Sequence, residues 1–473
     1  MTRDGTVGVS LVSDRARLAQ APYVPEIVIP AVRDAMIQAG MGQKDPEAPL
    51  KDIVAPGMTV LLKPNWVLHM NHSGQGMQCM VTHPLVIGAV VEQLRRAGAG
   101  RIVIGDAPIQ SCMWEQLVTP HLVDTLREIA GPCPLDVVDF RRTRTRAAAT
   151  MAEGVSTDLR DTGYYVLFDL ARDSLLEPIS TPHSPFRITS YDPAKMKETH
   201  QPGRHQYLIC REAFDADVVI SLPKLKTHRK AGITAALKNL VGINGNKDFL
   251  PHHRFGGSDA GGDCYAGAPP WKLAAEVYLD IANARINTPA YAAWSSRAFA
   301  LLGLHGRHAD ADVEGAWHGN DTIWRTVLDL NRILVYGDAQ GTMADAPRRT
   351  LWSLTDGIVC GQGEGPLSPT PATLGAITFS ASAAHADHVH AALLGLDPQR
   401  IPVVREAVGR CRWPLTDGSP LSIRAANAPR TLQEIARLGI TAIPPRGWRG
   451  RCELSPVPAN ADFAALATPN APR

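Results

Sequence analysis

The run Leu222-Pro223-Lys224-Leu225-Lys226-Thr227-His228-Arg229-Lys230 gathers cations directly behind the apolar stretch Asp217-Val218-Val219-Ile220-Ser221-Leu222. The β-branched residues suit a buried strand, and Pro223 brings no N–H to continue its ladder, so the charges fall where a strand ends. Between Asp217 and Asp248 there is no carboxylate, which leaves Lys224, Lys226, Arg229, Lys230 and Lys238 without a local acidic partner. Either a distant carboxylate or an anionic ligand must answer them, unless they form a solvated loop face. The following segment, Ile233 to Leu240, is expected to open a helix whose N-terminus favours anions.

Further residues are expected at neighbouring strand ends. Lys63-Pro64-Asn65 offers a point charge and an amide that both donates and accepts. Asp106 ends another strand, where its carboxylate can bind a hydroxyl, orient Lys63 or hold a divalent ion. His228 sits among cations that oppose its protonation, so a neutral imidazole able to act as general base is expected there, with Lys226 as the alternative proton carrier. Lys238 and Asn239 lie in Ala236-Leu237-Lys238-Asn239-Leu240-Val241-Gly242. Gly363 and Gly365, within Gly361-Gln362-Gly363-Glu364-Gly365-Pro366, allow close backbone approach and an anion nest, although the stretch is no phosphate-loop signature.

Metal-ligand residue types occur without a ligand motif. His252-His253 lies near Asp259 and Asp263, but adjacent side chains rarely converge on one ion. His385, Asp387, His388 and His390 fall on one short helix, where surface or interface packing accounts for them. Metal assistance through Asp106, Asp356 or Glu364 has no motif behind it, and neither G-x-S-x-G nor H-E-x-x-H is present.

The elements that must position these groups alternate. Thr6–Val12 and Met58–Lys63 read as strands, Pro84–Ala97 as a helix closed by Gly98, Arg101–Gly105 as a strand, Trp114–Ile129 as a helix and Leu135–Asp139 as a strand. The fold class expected is α/β, with doubly wound, mainly parallel sheets carrying helices on both faces and irregular insertions. Its divisions are an N-terminal αβ region (1–140), an irregular or hairpin insertion punctuated by prolines (141–204), a second αβ region (205–410) with an inserted loop (244–268), and a proline-rich tail (411–473) that wraps the surface or is partly disordered. Within the second region, helices are expected at 271–286 and 321–330, strands at 332–336 and 376–379, a turn at Asp356-Gly357 and a helix at 383–394. The apolar stretch from Ala290 to Leu304 is broken by Ser295, Ser296 and Arg297, so it reads as a core helix, with an interfacial helix as the alternative.

The whole chain of 473 residues is 45% hydrophobic and 20% charged, ample for a packed core, and its net charge of +2 is too balanced for a nucleic-acid binder driven by a global basic field. No secretory or membrane-spanning segment is evident, and a cytoplasmic location is expected. The 8 cysteines include no C-x-x-C pair, so zinc-ribbon and ferredoxin spacings are absent and an iron–sulfur cluster is not expected.

Taken in order, Leu61-Leu62-Lys63-Pro64-Asn65, Thr82-His83-Pro84, Gly105-Asp106-Ala107-Pro108, the lysine run and Ala236–Gly242 resemble the domain-of-unknown-function 362 family. Asp356-Gly357, Gly363-Glu364-Gly365-Pro366 and Leu394-Gly395-Leu396-Asp397-Pro398 fit the same pattern, so the resemblance spans about residues 58–400. Many members of that family carry a ferredoxin-like iron–sulfur segment, which this chain lacks. The function expected from the strand-end cations is a cytoplasmic enzyme of undetermined reaction type acting on a small phosphate- or carboxylate-bearing substrate, with His228, Lys226 and Asp106 catalytic and Lys63, Asn65, Lys224, Lys238, Asn239, Gly363 and Gly365 binding. A redox protein and a noncatalytic, membrane-peripheral binding module are the alternatives.

Overall fold

A computed structural model describes residues 5–145, 156–189, 191–286, 288–306 and 310–454. One mixed sheet of 11 strands organises them: β1 Thr6–Leu11, β2 Thr59–Pro64, β3 Arg101–Asp106, β4 Leu135–Asp139, β5 Val218–Leu222, β6 Lys224–His228, β7 Gly232–Thr234, β8 Leu351–Glu364, β9 Ser368–Ser380, β10 Ser422–Ala425 and β11 Ala428–Arg430. Their order is β11-β10-β1-β9-β8-β5-β2-β3-β4, with β6 branching from β8 and β7 paired to β6. The stretch from β8 through β5, β2, β3 and β4 is parallel throughout, while β9 runs antiparallel to both β8 and β1.

Helices cover both faces, as the continuous burial of the central strands demands. Those used below are α1 Pro25–Gln38, α2 Pro84–Ala97, α3 Pro120–Ala130, α4 Pro270–Asn283, α5 Ala290–His305, α6 Ile323–Tyr336 and α7 Ala383–Leu393. In β2, Val60 and Leu62 point into the core built with α1, α2 and α3, whereas Leu61 points into the opposite core with α6 and α7. Such period-2 alternation with two apolar faces is what a doubly wound sheet requires. The helix α2 opens with Pro84 behind the cap His83, whose ring accepts the Leu85 N–H, and closes on Gly98 at φ 83°. The connection β2-α2-β3 leads one way across the sheet, and β5 pairs on the other side of β2. This reversal puts a topological switch at the carboxyl ends of β2 and β5, where open α/β sheets leave a crevice.

Several expectations need correction. Residues 332–336 are not a strand but the last turn and more of α6, whose apolar residues recur at helical spacing through Ile323, Val327, Leu330 and Leu334, a period that the β-branched end read by itself does not show. The helix expected over 114–129 is two, Trp114–Leu117 and α3, parted where Thr119 caps a new start at Pro120. Asp356-Gly357 is no turn; it lies inside β8, where the register against β9 shifts between Gly357 and Val359. Instead of a helix from Ile233, the chain forms β7 and one helical turn, Ala236–Asn239.

The region 141–204 holds short strands, of which Thr143–Thr145 pairs with Ser156–Asp158 and Tyr165–Asp169 pairs with Arg204–Cys210. Rather than only wrapping the surface, residues after 411 add β10 beside β1 and bury Trp448. The expected disorder of residues 455–473 lies outside the described residues. All of α7 is buried, with His390 between Asp387 and Thr378, so its histidines belong to the core rather than to the surface. By contrast α5 buries only Ser295, Ala298 and Leu302 and is a lateral helix packed on α4.

Candidate anion-binding cavity

A cavity of about 740 Å³ lies outside the carboxyl ends of β2, β3 and β5. Lys63, Asn65, Asp106, Lys226, His228, Lys238 and Asn239 line it, as the strand-end reading expected; Lys224, Gly363 and Gly365 do not.

Lys63 and Asp106 meet at 2.6 Å, both nearly inaccessible. Asp106 is also fixed by the Trp66 N–H at 2.6 Å, and Lys63 donates to the carbonyl of Pro64 and to the Asn239 amide oxygen at 2.8 and 3.1 Å. The Asn239 NH₂ in turn holds the Lys63 carbonyl and the Ser221 hydroxyl, each at 2.9 Å. Asn239 thus stitches β2 to β5 and has little left for a ligand. Gly242 is required here: a Cβ would stand 1.8 Å from Asp106 Oδ1 and 2.6 Å from Lys63 Nζ. Burial raises the Asp106 carboxyl and lowers the Lys63 ammonium, each opposed by the partner's charge.

Lys224 has found its counter-charge at long range. Its ammonium bonds Asp356 at 2.7 Å and the Tyr23 hydroxyl at 2.6 Å, and that carboxylate also accepts from Tyr23 and from the His83 N–H. The Tyr23 and His83 rings stack at 3.8 Å over this network. Every polar partner is satisfied, so the cluster reads as a fastening between β6, β8 and the start of α2.

Lys226 and Lys238 have no such carboxylate among the described residues. Lys226, 1% exposed, donates to the Met80 carbonyl at 2.5 Å, and no hydrogen bond engages the Lys238 ammonium among the described residues. Burial first, then the neighbouring lysines, push both ammonium groups down to about 7. Lys247, which donates to the Ala107 carbonyl at 3.1 Å, is pushed down to about 8 by burial, with Asp106 opposing and Lys63 and Arg141 adding to the shift. Sequence reasoning missed Lys247 because it falls within a stretch that reads as loop.

The two histidines on the wall are complementary. His228 Nδ1 accepts the backbone N–H groups of Lys230 and Ala231, both at 3.1 Å, which in a neutral ring leaves the proton on Nε2. His252 is the reverse: its Nδ1 lies 2.8 Å from the Leu250 carbonyl, which can only accept, so Nε2 carries a lone pair. Burial and the surrounding cations hold both rings well below the usual imidazole range. His228 therefore presents a donor to the cavity, and His252 the basic nitrogen that the sequence had suggested for His228. His253 turns away toward a second chamber, so the adjacent pair does not converge, and no group of three His, Cys, Asp or Glu side chains among the described residues is arranged to hold a metal ion.

Besides Asp106 Oδ1, which faces Lys63, four buried polar atoms of wall residues have no hydrogen-bond partner among the described residues: Asn65 Oδ1, Gln110 Oε1 and the hydroxyls of Tyr191 and Thr234. The glycine stretch is used structurally: Gly363 N–H bonds the Ile443 carbonyl at 2.7 Å, Gly365 N–H bonds Gly363, and a Cβ on Gly365 would meet the Thr227 carbonyl at 2.0 Å. The amides at the start of the Ala236–Asn239 turn are likewise taken, by Asp387 at 2.8 and 3.0 Å. Arg229, ion-paired to Asp312 and, at 3.2 Å, to Glu364, borders the cavity, and its carbonyl accepts the Trp448 indole N–H at 2.7 Å.

Comparison with known proteins bears on these blocks. A thylakoid-associated protein of a Synechocystis strain is 29% identical over 216 residues, 46% of this chain and 48% of that protein, so the match spans about half of the relative's length. A crystal structure of a Thermotoga maritima protein aligns over 75% of this chain and 55% of its own, at 11% identity and a TM-score of 0.28. The family model described as a domain of unknown function, DUF362, matches residues 60–158 and 173–392, which include β2, β3, the lysine run, Asn239 and Asp356. The chain belongs to the domain-of-unknown-function 362 family.

Proposed function

We propose that this protein is a cytoplasmic enzyme that binds a small phosphate- or carboxylate-bearing substrate in the cavity at the strand ends. The observation that carries the reading is that Lys226 and Lys238 are buried on its wall with no carboxylate partner among the described residues. An unpaired buried cation is costly, and an anion entering between them offsets that cost for both at once. Lys63 is closed on the floor against Asp106, the Pro64 carbonyl and Asn239, and the His228 Nε2–H adds a directed donor. His252 Nε2 accepts a proton from the substrate, and the lysines stabilise the negative charge that this leaves. Asn65 and Thr234 supply the polar contacts that orient the substrate, since each has a buried oxygen without a partner.

Calorimetric titration with inorganic phosphate and diphosphate at pH 6.5 tests the anion site. Saturable binding is expected in the parent and loss of it in a K226M/K238M variant that still melts cooperatively. Absence of saturable binding of either anion to the parent overturns the reading.

A membrane-peripheral role is the second reading, favoured by one observation. The α4–α5 pair leaves Leu273, Val277, Phe299 and Leu304 between 42% and 66% exposed, and a relative carries the name thylakoid-associated. No helix among the described residues is long and apolar enough to cross a membrane, so attachment would be from one side. Flotation with anionic vesicles checks it: cofractionation lost in an F299D/L304D variant supports the reading, and no cofractionation of the parent removes it.

A further inference from the structure

Charge explains only the floor of the cavity. The lysines come from strand ends and are buried in the body of the fold, whereas the walls above them are largely apolar, with Val67, Ile109, Ile188, Leu250, Ile286 and Leu367 facing the space. Most of these also touch one of the hydrophobic cores, so their burial has a structural cause. Ile286 does not. Together with Tyr191 and Tyr291 it is half-buried on the cavity wall and packed into none of the three cores among the described residues. Apolar side-chain and ring surface held away from water but not against the protein interior is placed for a ligand's apolar part, the Tyr191 hydroxyl being the polar exception on this wall.

The space also continues. A second chamber of about 670 Å³ shares Ile188, Thr189, Arg229, Tyr291 and Glu314 with the first. Beyond that shared wall it runs along α4 and α5, past Leu279, Phe299 and Leu302, and α5 presents Gly303 there with no atom within 4 Å of where a Cβ would stand. One end of the combined space is cationic and deep, and the other sets Leu279, Phe299 and Leu302 beside the carboxylates of Glu276, Asp280 and Asp312 and opens next to exposed Phe299.

We infer that the substrate is an amphiphile, an anionic phosphate or carboxylate head on a hydrocarbon or isoprenoid-like tail, with the head on Lys226 and Lys238 and the tail along Ile286, Tyr191 and Tyr291. This deepens the anion-site reading and rests on it. A compact metabolite such as a sugar phosphate would leave the apolar wall wet, whereas a tail removes it from water. The same chemistry is presented by a free single-chain phosphate and by the head group of a lipid in a bilayer.

The test is a chain-length series, inorganic phosphate, ethyl, butyl, hexyl and octyl phosphate, titrated calorimetrically below their micelle concentrations. Affinity is expected to rise roughly threefold per methylene, the scale of transferring a methylene out of water, until the tail outruns the cavity. In Ile286→Asp the rise with chain length should flatten. Lys238→Met should lower every member by the same factor and keep the slope. Binding of all members with one affinity overturns the amphiphile and leaves the anion site standing; binding of none overturns both. To separate the sources, octyl phosphate free in solution is compared with phosphatidic acid in phosphatidylcholine vesicles. Extraction of the vesicle lipid into the protein, scored by mass spectrometry after separation, assigns the membrane source. Binding of the free compound without extraction assigns the dissolved one.

Discussion

Lys224 and Lys226 stand two residues apart on one strand, yet they live in opposite electrostatic circumstances. Lys224 pairs across the ladder with Asp356, while Lys226 falls opposite Gly361, because β8 gains residues between those two register points. A carboxylate in register closes the first lysine into a satisfied network with Tyr23, and a glycine in register leaves the second facing the cavity with no acidic partner. Their residue type and local sequence are alike, so it is the bulged partner strand that separates fastening from function.

The widest gap between the two lysines should be in stability. Lys224→Ala leaves Asp356 buried and uncompensated, and a loss of about 3–5 kcal/mol is expected in denaturant unfolding, with phosphate affinity per folded molecule kept. If K224A loses anion binding while staying as stable as the parent, the contrast is reversed. Gly242→Ala probes the other closed pair: its methyl cannot coexist with the Lys63–Asp106 contact, and a loss of about 1–3 kcal/mol is expected from overpacking. Thermal and urea melts measure it.

Lys238→Met should act oppositely to Lys224→Ala. Anion affinity should fall by about 1–3 kcal/mol, the scale of a charge-assisted hydrogen bond, while the anion-free protein melts no lower than the parent because an unpaired buried charge has gone. A sharply lower melting temperature would place Lys238 with Lys224 as a fastening.

The last contrast is in pH. Unfolded lysines titrate near 10.4, whereas Lys226 and Lys238 do so at about 7, so between about pH 7 and 10 the unfolded chain binds more protons. Stability of the anion-free protein should therefore rise with pH through that window, with the full penalty present below 7. Phosphate affinity should fall several-fold over pH 6.5–8.5, because the cations that hold it are lost. Melting temperatures with and without phosphate across this range give both slopes, and parallel slopes would contradict the assignment.

How much of this was legible follows from what is local. Strand ends and the α/β alternation put Lys63, Asp106, Lys226, His228 and Lys238 on one rim before any coordinates, since parallel strands bring their carboxyl ends together. The partner of Lys224 was not legible: Asp356 lies 132 residues away, and a carboxylate-free stretch says nothing about what another strand delivers. Nor could residue type alone distinguish the roles of His228 and His252, which are decided by backbone groups two or three residues along the chain. Arg332–Tyr336 misled because its β-branched and aromatic residues suit a strand when read apart from Ile323–Asn331, over which the helical spacing of the apolar residues becomes visible.

The indole of Trp448 grips the carbonyl of Arg229, the Ile443 carbonyl caps Gly363, and β10 lies against β1. During synthesis the lysine strand would leave the ribosome more than two hundred residues before Trp448 exists to brace it, and β1 would wait longer still for β10. Pairings of such long range are slow to form, so the nascent chain carries its cationic strand incompletely supported until the last part of the fold arrives. Binding competence is thus a late event in the life of each molecule, and a ribosome stalled near residue 440 would display a nearly whole sheet with an unbraced site.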